Sequence, residues 1–329
     1  MGAIMLRSRP SLALGLVVIS LILLFIAFNG GHSDGIKQSL SSGYHAVTSG
    51  SNNDLKSRLE HSERLWRKNL AGRKHMRKAY GADPTKGRAW PNEYVMPYNI
   101  YDFVYPAFNC PHDVERVGRV GDGGKWVCGM TRYEANKDRP CVVYAFGVND
   151  DSSFENEILR RTNCEIWGYD YTVKSWGKQL VQNLAYRAHF SQCGIANVTD
   201  EKRSPPFYSV KDLMRINGHD YIDIMKMDIE GSEFDSLGTF LEEYSSPDQE
   251  LPVGQLLLET HMREVRDNDG YSMPKSLDEW IAFWESLEAK GLRPSFLEPN
   301  LLATYKQKKL AYAETTLINI VDKRSLLVN

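Results

Sequence analysis

The stretch that decides the fold is residues 221–231, with the sequence YIDIMKMDIEG. Its first seven residues form a short, mainly apolar run of the length expected for a buried strand. Gly231 then opens a segment that we predict to be helical through Glu242. Asp228 and Glu230 stand between these two elements. The stretch therefore predicts a strand followed by a helix, with carboxylates at the carboxyl end of the strand.

Strand and helix patterns alternate along the rest of the body. Further strands are predicted at residues 142–146, 165–169, 188–193, 255–259, 295–297 and 316–321. Two S-x-x-E capping boxes, Ser152 with Glu155 and Ser276 with Glu279, are expected to begin helices. Such alternation predicts an α/β fold, a mostly parallel sheet with helices on both faces.

A glycine and seven polar residues follow four of the predicted strands at their carboxyl ends. They are Gly147, Asn149, Asp151, Asp170, Tyr171, Asp228, Glu230 and His261. Ligands bind beyond the carboxyl ends of strands in sheets of this kind. An Asp or a His at a single strand end is ordinary turn chemistry, but the recurrence at four ends predicts a functional site here.

The residues after Gly147 indicate which ligand fits. A pyrophosphate site needs several glycines at this turn, whereas here Asn149, Asp150 and Asp151 follow a single one. Two carboxylates would repel phosphate but suit a cationic nucleoside such as S-adenosylmethionine. Asp170, at the end of the next strand, is placed to accept hydrogen bonds from ribose hydroxyls.

Three segments resemble known methyltransferases. Residues 221–234 resemble the signature D-x-x-K-x-D-x-E-G-x-E of FkbM-type methyltransferases. Residues 121–128 (GDGGKWVC) and 144–155 (YAFGVNDDSSFE) are similar to the methyltransferase-like protein 24 family. The resemblance covers about residues 105–321. It implies a Rossmann-like class I methyltransferase sheet, S-adenosylmethionine as cofactor and, often, a hydroxyl acceptor.

The resemblance also implies roles for the cofactor-binding residues. Gly147, Asn149 and Asp151 would lie along the methionine part of the cofactor. Asp170, with Tyr171 beside it, would hold the ribose. The sequence departs from the glycine-rich loop of many methyltransferases, because Asn149 stands at the second glycine.

Three residues are the catalytic candidates. By resemblance, Asp228 and Glu230 would face the transferred methyl group. His261 is the first candidate for a general base, because the ordinary pKa of histidine lies near neutrality, and Asp228 is the second. We predict no metal. A metal-assisted route through Asp228, Glu230 and His261 is less favoured, because their spacing matches no recognised metal pattern.

The N-terminal region predicts a membrane anchor. Residues 12–28 carry no charge, and Arg7 and Arg9 precede them. The positive-inside rule predicts a cytosolic tail (1–11), a signal-anchor (12–28), a flexible and then basic helical stem (29–89) and a methyltransferase-like domain (90–329). We therefore expect a single-pass type II protein of the endoplasmic reticulum or Golgi with a lumenal domain. A cleaved signal peptide is less favoured because the apolar run is long.

Charge and cysteine content narrow the function further. Residues 56–88 carry eleven Lys and Arg against three acidic residues, and residues 89–329 have a net charge of −11. The basic stretch is expected to be a solvated stem helix, with contact to anionic lipid headgroups or to an acidic partner as the alternative. The acidic body argues against nucleic acid as a partner.

Cys110 and Cys128 can pair in an oxidising lumen, or all five cysteines are buried thiols.

Two other function classes stay open at this point. A lumenal glycosyltransferase has the same layout, and Asp228-Ile229-Glu230 could imitate its metal-binding D-x-D. A non-catalytic binding protein could retain the same fold. The expected partners of the methyltransferase are the membrane, through residues 12–28, and a small-molecule or glycan acceptor.

Overall fold

The computed structural model describes residues 52–80, 100–246, 249–262, 273–307, 310 and 312–329. The predicted anchor (12–28) and tail (1–11) lie outside these residues, as do residues 29–51 and 81–89 of the predicted stem. None of the described helices is long and apolar enough to cross a membrane.

A seven-stranded sheet forms the centre of the molecule. Its strands are β3 (Val142–Phe146), β4 (Glu165–Tyr169), β5 (Ala188–Ser191), β8 (Ile222–Met227), β9 (Val253–His261), β10 (Leu292–Pro299) and β11 (Tyr312–Asn319). Their order across the sheet is β5-β4-β3-β8-β9-β11-β10, and β11 runs opposite to the other six strands. The first five strands follow the doubly wound order, so the predicted mostly parallel sheet is confirmed.

Seven α-helices, two 3-10 helices (Ile100–Val104 and Gln182–Arg187) and two small sheets complete the described part of the chain. The α-helices are α1 (Asn52–Tyr80), α2 (Met130–Ala135), α3 (Ser153–Arg161), α4 (Val210–Asn217), α5 (Glu233–Glu243), α6 (Leu277–Ala289) and α7 (Leu301–Gln307). The small sheets are the hairpin β1 (Val114–Val117) and β2 (Lys125–Cys128) and the pair β6 (Gly194–Ile195) and β7 (Phe207–Tyr208).

An apolar core lies on each face of the sheet, as predicted. One contains Phe146, Met227 and Leu258 of the sheet and is covered by α4, α5 and α6. The other contains Ala145 and Leu257 and is covered by α2, α3 and the β1–β2 hairpin. Neighbouring residues of each strand point to opposite faces, so both faces need apolar side chains.

Helix α1 packs against the body instead of standing as a solvated stem. From Leu55 onward it belongs to the same compact unit, Leu55–Asn329, as the sheet. Arg73 forms a bidentate ion pair with Glu288 of α6 at 2.6 and 2.8 Å, and both side chains are buried. The guanidinium of Arg293 lies 3.6 Å from the centre of the Trp66 ring. Two more basic residues of α1 contact the body: Arg58 donates to the carbonyl of Pro111, and Arg77 pairs with Asp278. The charge pattern alone did not reveal this docking.

One of the two predicted capping boxes is wrong. Ser276 accepts a hydrogen bond from the amide of Glu279 at 3.2 Å, as expected. Ser152 makes no capping bond and instead accepts one from the amide of Gly177 at 2.8 Å. Its expected partner, Glu155, is buried and pairs with Lys226.

Two disulfides tie the described chain together. Cys110 is bonded to Cys128, as the sequence allowed, and Cys141 is bonded to Cys164, which was not predicted. Cys193 is a buried free thiol.

Candidate active site

A cavity of about 460 Å³ lies where β3, β4, β8 and β9 end. Its lining includes all eight predicted residues: Gly147, Asn149, Asp151, Asp170, Tyr171, Asp228, Glu230 and His261. The carboxyl ends of neighbouring parallel strands meet at one edge, which is why they lie together. The size falls within the range of small-molecule sites. The role of each residue stays a prediction.

The chain after β3 passes very close to the chain after β8. Gly147 has φ +76° and Asn149 has φ +52°, both in the left-handed region. A Cβ atom at Gly147 would lie 1.8 Å from the carbonyl oxygen of Asp228. This part of the cavity wall therefore has no room for a side chain at residue 147, and backbone forms it instead.

Asp170 joins the loops after β3 and β4. Its Oδ2 accepts a hydrogen bond from the amide of Asn149 at 2.8 Å. Its Oδ1 accepts bonds from the amide and hydroxyl of Thr172, both at 2.6 Å. A carboxylate oxygen accepts two hydrogen bonds, so Oδ2 keeps capacity for a ligand hydroxyl.

Asp151 is engaged by the protein itself. It accepts hydrogen bonds from the amide and hydroxyl of Ser153 at 3.0 and 2.5 Å, from Arg119 at 3.0 Å and from Gln179 at 2.9 Å. Burial opposes the charge on Asp151, but the bonds from Ser153 and the Arg119 guanidinium outweigh it and lower the pKa. Asp151 thus caps α3 and fastens the β1–β2 turn over the cavity.

Three carboxylates surround the ammonium of Lys125. Asp228 Oδ2 lies 2.9 Å and Glu259 Oε2 3.5 Å from Lys125 Nζ, which also donates to Glu314. Burial opposes the charge on Lys125, yet the carboxylates raise its pKa well above the ordinary value. Burial also opposes ionisation of Asp228, but chiefly Lys125 and His261 hold its pKa well below the usual range.

His261 is held by a second buried carboxylate. Its Nδ1 lies 2.8 Å from Oε1 of Glu233, and both side chains are buried. Glu233 also accepts hydrogen bonds from the amides of Ile229 and Gly231 at 3.0 and 2.9 Å. Nε2 of His261 lies 3.7 Å from Asp228 and 3.9 Å from Glu230.

The environment keeps His261 protonated. Burial alone would lower its pKa, but the bond and charge of Glu233, together with Asp228, raise it to about 9. The ordinary pKa of histidine, on which the choice of His261 as a base rested, therefore does not apply in this environment, and the sequence did not reveal how many carboxylates face the ring. At neutral pH the imidazolium donates from Nε2, and it accepts a proton only after losing one.

Asp228, Glu259 and His261 bring three ligand-type atoms within 4.8 Å of one another, a set that can hold a metal ion. The ammonium of Lys125 already lies next to two of these three residues, Asp228 and Glu259. Glu259, and not Glu230 as considered from the sequence, is the second carboxylate of the set.

Most charged residues of the 221–234 signature have partners distant in sequence. The pairs are Asp223 with Arg139, Lys226 with Glu155, Asp228 with Lys125, and Glu233 with His261. Sequence reasoning missed Lys125, Glu233, Glu259 and Glu314 as residues of the site. Lys125 and Glu233 belong to the quoted motifs, which was the only available signal, and nothing in the sequence pointed to Glu259 or Glu314.

Another part of the wall is less polar. Val148, Cys193, Ile195 and Phe207 line it, and the Phe207 ring lies 5.5 Å from that of Tyr171. Burial, followed by the nearby Asp170 charge, raises the pKa of the Cys193 thiol to about 12, so this sulfur stays neutral. The cavity thus combines a charged end with a wall suited to a flat apolar group.

Comparison with known proteins gives consistent findings. The profile of a family described as "Methyltransferase domain" matches residues 52–309, well over half of the chain. "Probable methyltransferase-like protein 24" of Homo sapiens is 24% identical over 153 residues, 46% of this chain and 40% of that protein. The same protein of Rattus norvegicus is 24% identical over 174 residues, 52% of this chain and 44% of that protein. The matched part spans less than half the length of these relatives.

Among solved structures, one similar chain is the 1,6-didemethyltoxoflavin-N1-methyltransferase of Burkholderia thailandensis, with bound 1,6-didemethyltoxoflavin and S-adenosylhomocysteine. It has a TM-score of 0.31 and 16% sequence identity, and the alignment covers 58% of this chain and 76% of that chain.

Proposed function

The chain belongs to the methyltransferase-domain family, and we propose that it methylates a hydroxyl acceptor bound in this cavity. Family membership confirms the prediction that S-adenosylmethionine is the cofactor, and it agrees with the resemblance to methyltransferase-like protein 24. One observation carries the proposal for this site: the fold gathers all eight predicted residues around a single cavity at the edge of the sheet.

The residues of the cavity fit this cofactor. The turn at Gly147 lets a ligand approach the backbone closely. Asp170 would accept a hydrogen bond from the ribose through Oδ2. Ile195, Phe207 and Tyr171 would flank the adenine ring. Asp228 and Glu230, at the other end, would face the transferred methyl group.

The chain's own residues would align the acceptor and take up its proton. When bound, S-adenosylmethionine supplies a methyl group on a sulfonium. Glu233 holds His261 through Nδ1, which leaves Nε2 toward Asp228 and Glu230. His261 would act as the general base in its neutral form, with Asp228 orienting the hydroxyl. Because the pKa of His261 is about 9, we expect the rate to increase with pH up to that value.

Cofactor binding tests the placement of the site. The full chain is titrated calorimetrically with S-adenosylhomocysteine, and UDP with Mn²⁺ serves as the control ligand. Hydrogen bonds to a charged group are worth about 1.5–3 kcal/mol, so Asp170→Ala should weaken binding about tenfold or more. Asp122→Asn, at the exposed rim of the cavity, is the matched control and should change little.

Each outcome of that titration has a clear meaning. Unchanged affinity in Asp170→Ala would contradict the ribose placement. Binding of UDP with Mn²⁺ alone would favour a glycosyltransferase, and binding of neither ligand would favour a non-catalytic protein.

The acceptor chemistry needs a separate measurement. The full chain is incubated with methyl-labelled S-adenosylmethionine and candidate glycans and metabolites. A methyl ether survives mild base, whereas a methyl ester releases methanol. Base-stable label on an acceptor oxygen is the expected result, and label on nitrogen or in an ester would contradict a hydroxyl acceptor.

We also propose that the domain faces the lumen of the endoplasmic reticulum or Golgi. The support is the apolar sequence of residues 12–28, the two disulfides and the exposed sequon at Asn197. In intact microsomes the domain should resist added protease, and an endoglycosidase should shift the wild type but not Asn197→Gln. Digestion without detergent would contradict this orientation.

A further inference from the structure

We propose that Lys125 is a positioning residue that supplies, as a fixed ammonium, the cation that holds Asp228 at the methyl-transfer site. This inference rests on the proposed function, because it assigns Asp228 to that site. The residue comes from the GDGGKWVC segment, whose role was not evident from sequence.

The three carboxylates around Lys125 come from three adjacent strands. Asp228 follows β8, Glu259 lies near the end of β9, and Glu314 lies near the start of β11. Glu259 and Glu314 are directly opposite each other in the β9–β11 register. Burial, followed by the charges of Asp228 and Glu314, raises the pKa of Glu259 to about 9, and burial also raises the pKa of Glu314. The ammonium of Lys125 lies next to both carboxyl groups and favours their ionised forms.

Lys125 reaches them from outside the sheet and is 1% exposed. Its strand β2 is fixed independently of the ion pairs. The Gln255 side chain bonds both the amide and the carbonyl of Cys128, at 2.7 and 3.2 Å. The hydroxyl of Thr316 donates to the carbonyl of Trp126 at 2.6 Å, and the disulfide to Cys110 holds the end of the strand. The ammonium is thus held in place by the hairpin before any ligand enters.

The two carboxylate oxygens of Asp228 therefore have different neighbours. Oδ2 is bound to Lys125 at 2.9 Å, and Oδ1 lies 3.7 Å from Nε2 of His261. One oxygen is therefore anchored while the other stays next to the general base. In a metal-dependent enzyme a divalent ion would anchor such a carboxylate. Here a lysine fills that role, and a metal should bind only when the ammonium is removed.

Manganese binding tests this directly and needs no knowledge of the acceptor. The full chain is titrated with Mn²⁺ at neutral pH and followed by electron paramagnetic resonance. We expect no site-bound Mn²⁺ in the wild type or in Lys125→Arg up to about millimolar concentration. Lys125→Met should bind Mn²⁺ at least about tenfold more tightly, and adding Asp228→Asn should abolish that binding.

Lys226→Met is the matched control. Lys226 is about as buried as Lys125, but within the described part of the chain its ammonium forms an ion pair only with Glu155, at 3.0 Å, and it also donates to the carbonyl of Gly147 at 3.2 Å. Removing it leaves one carboxylate and should create no metal site. If Lys125→Met fails to fold, the double variant Lys125→Met with Glu314→Gln takes its place, because it removes one basic and one acidic side chain together. It keeps Asp228, Glu259 and His261 and should also bind Mn²⁺.

Two results would overturn the inference: Mn²⁺ bound by the wild type and lost in Asp228→Asn, or folded Lys125→Met that binds no Mn²⁺. S-adenosylhomocysteine is titrated into the same samples. A folded wild type that does not bind it would contradict the proposed function, while the Mn²⁺ results would still decide the role of Lys125.

Discussion

Replacing Glu233 with Gln removes the carboxylate that keeps His261 protonated. The two side chains meet at 2.8 Å in a buried setting, and Glu233 is fully buried. Both oxygens of Glu233 also accept backbone amides, from Ile229 and Gly231. Glutamine has one acceptor oxygen and no negative charge, so it cannot reproduce all of these contacts.

The magnitude follows from the pKa of His261. Burial opposes the charged ring, but Glu233 and then Asp228 raise the pKa from 6.5 to about 9. A difference of this size corresponds to about 3 kcal/mol. Because the folded-state pKa is the higher one, this stabilisation is fully present below pH 6.5 and is lost as the pH rises through about 9. Glu233→Gln should lower the pKa toward or below 6.5 and remove this pH dependence.

Histidine NMR and denaturant unfolding measure the two effects. His261→Asn identifies the His261 signal, and its titration is followed in the wild type and in Glu233→Gln. The free energy of unfolding is compared at about pH 6 and pH 9.5. Glu242→Gln, an exposed change on the same helix, is the control and should alter neither quantity. A wild-type His261 that titrates near 6.5, or a pKa unchanged in Glu233→Gln, would refute the reasoning.

Three further perturbations test other parts of the structure. Arg73→Ala removes the cation that is paired with buried Glu288 and should lower the free energy of unfolding by about 3–5 kcal/mol. The mostly exposed Arg67→Ala should cost little, and equal effects of the two changes would contradict the docking of α1. Gly147→Ala places a Cβ 1.8 Å from the carbonyl oxygen of Asp228 and should abolish S-adenosylhomocysteine binding. Gly238→Ala is the control: it has open space around it in α5 and should stabilise the protein by about 0.5–1 kcal/mol in thermal unfolding. Serine in place of both cysteines of the Cys110–Cys128 disulfide should cost about 3 kcal/mol, seen as a lower Tm; reducing agent should then lower the Tm of the variant less than that of the wild type, because only the Cys141–Cys164 disulfide is left to reduce.

Much of the sheet could be predicted because several strands are apolar runs of strand length in the sequence itself. Residues 142–146 are an uninterrupted apolar run ended by Gly147, and the observed β3 has the same bounds. β9 is longer than predicted, Val253–His261, because burial extends over all nine residues, including polar ones. The predicted capping box at Ser152 does not form, because its two side chains bind partners distant in sequence: Ser152 accepts from the amide of Gly177, and Glu155 pairs with Lys226.

The sequence by itself determined the alternation of strands and helices, and with it the edge of the sheet at which Asp170, Asp228 and His261 gather. These features follow from local periodicity and from a rule of parallel sheets. Only the tertiary structure decided the electrostatics of the site: that Lys125 meets Asp228 from 103 positions away, and that His261 is a buried imidazolium. Protonation depends on desolvation and on charges within a few ångströms, and distance along the chain does not specify either.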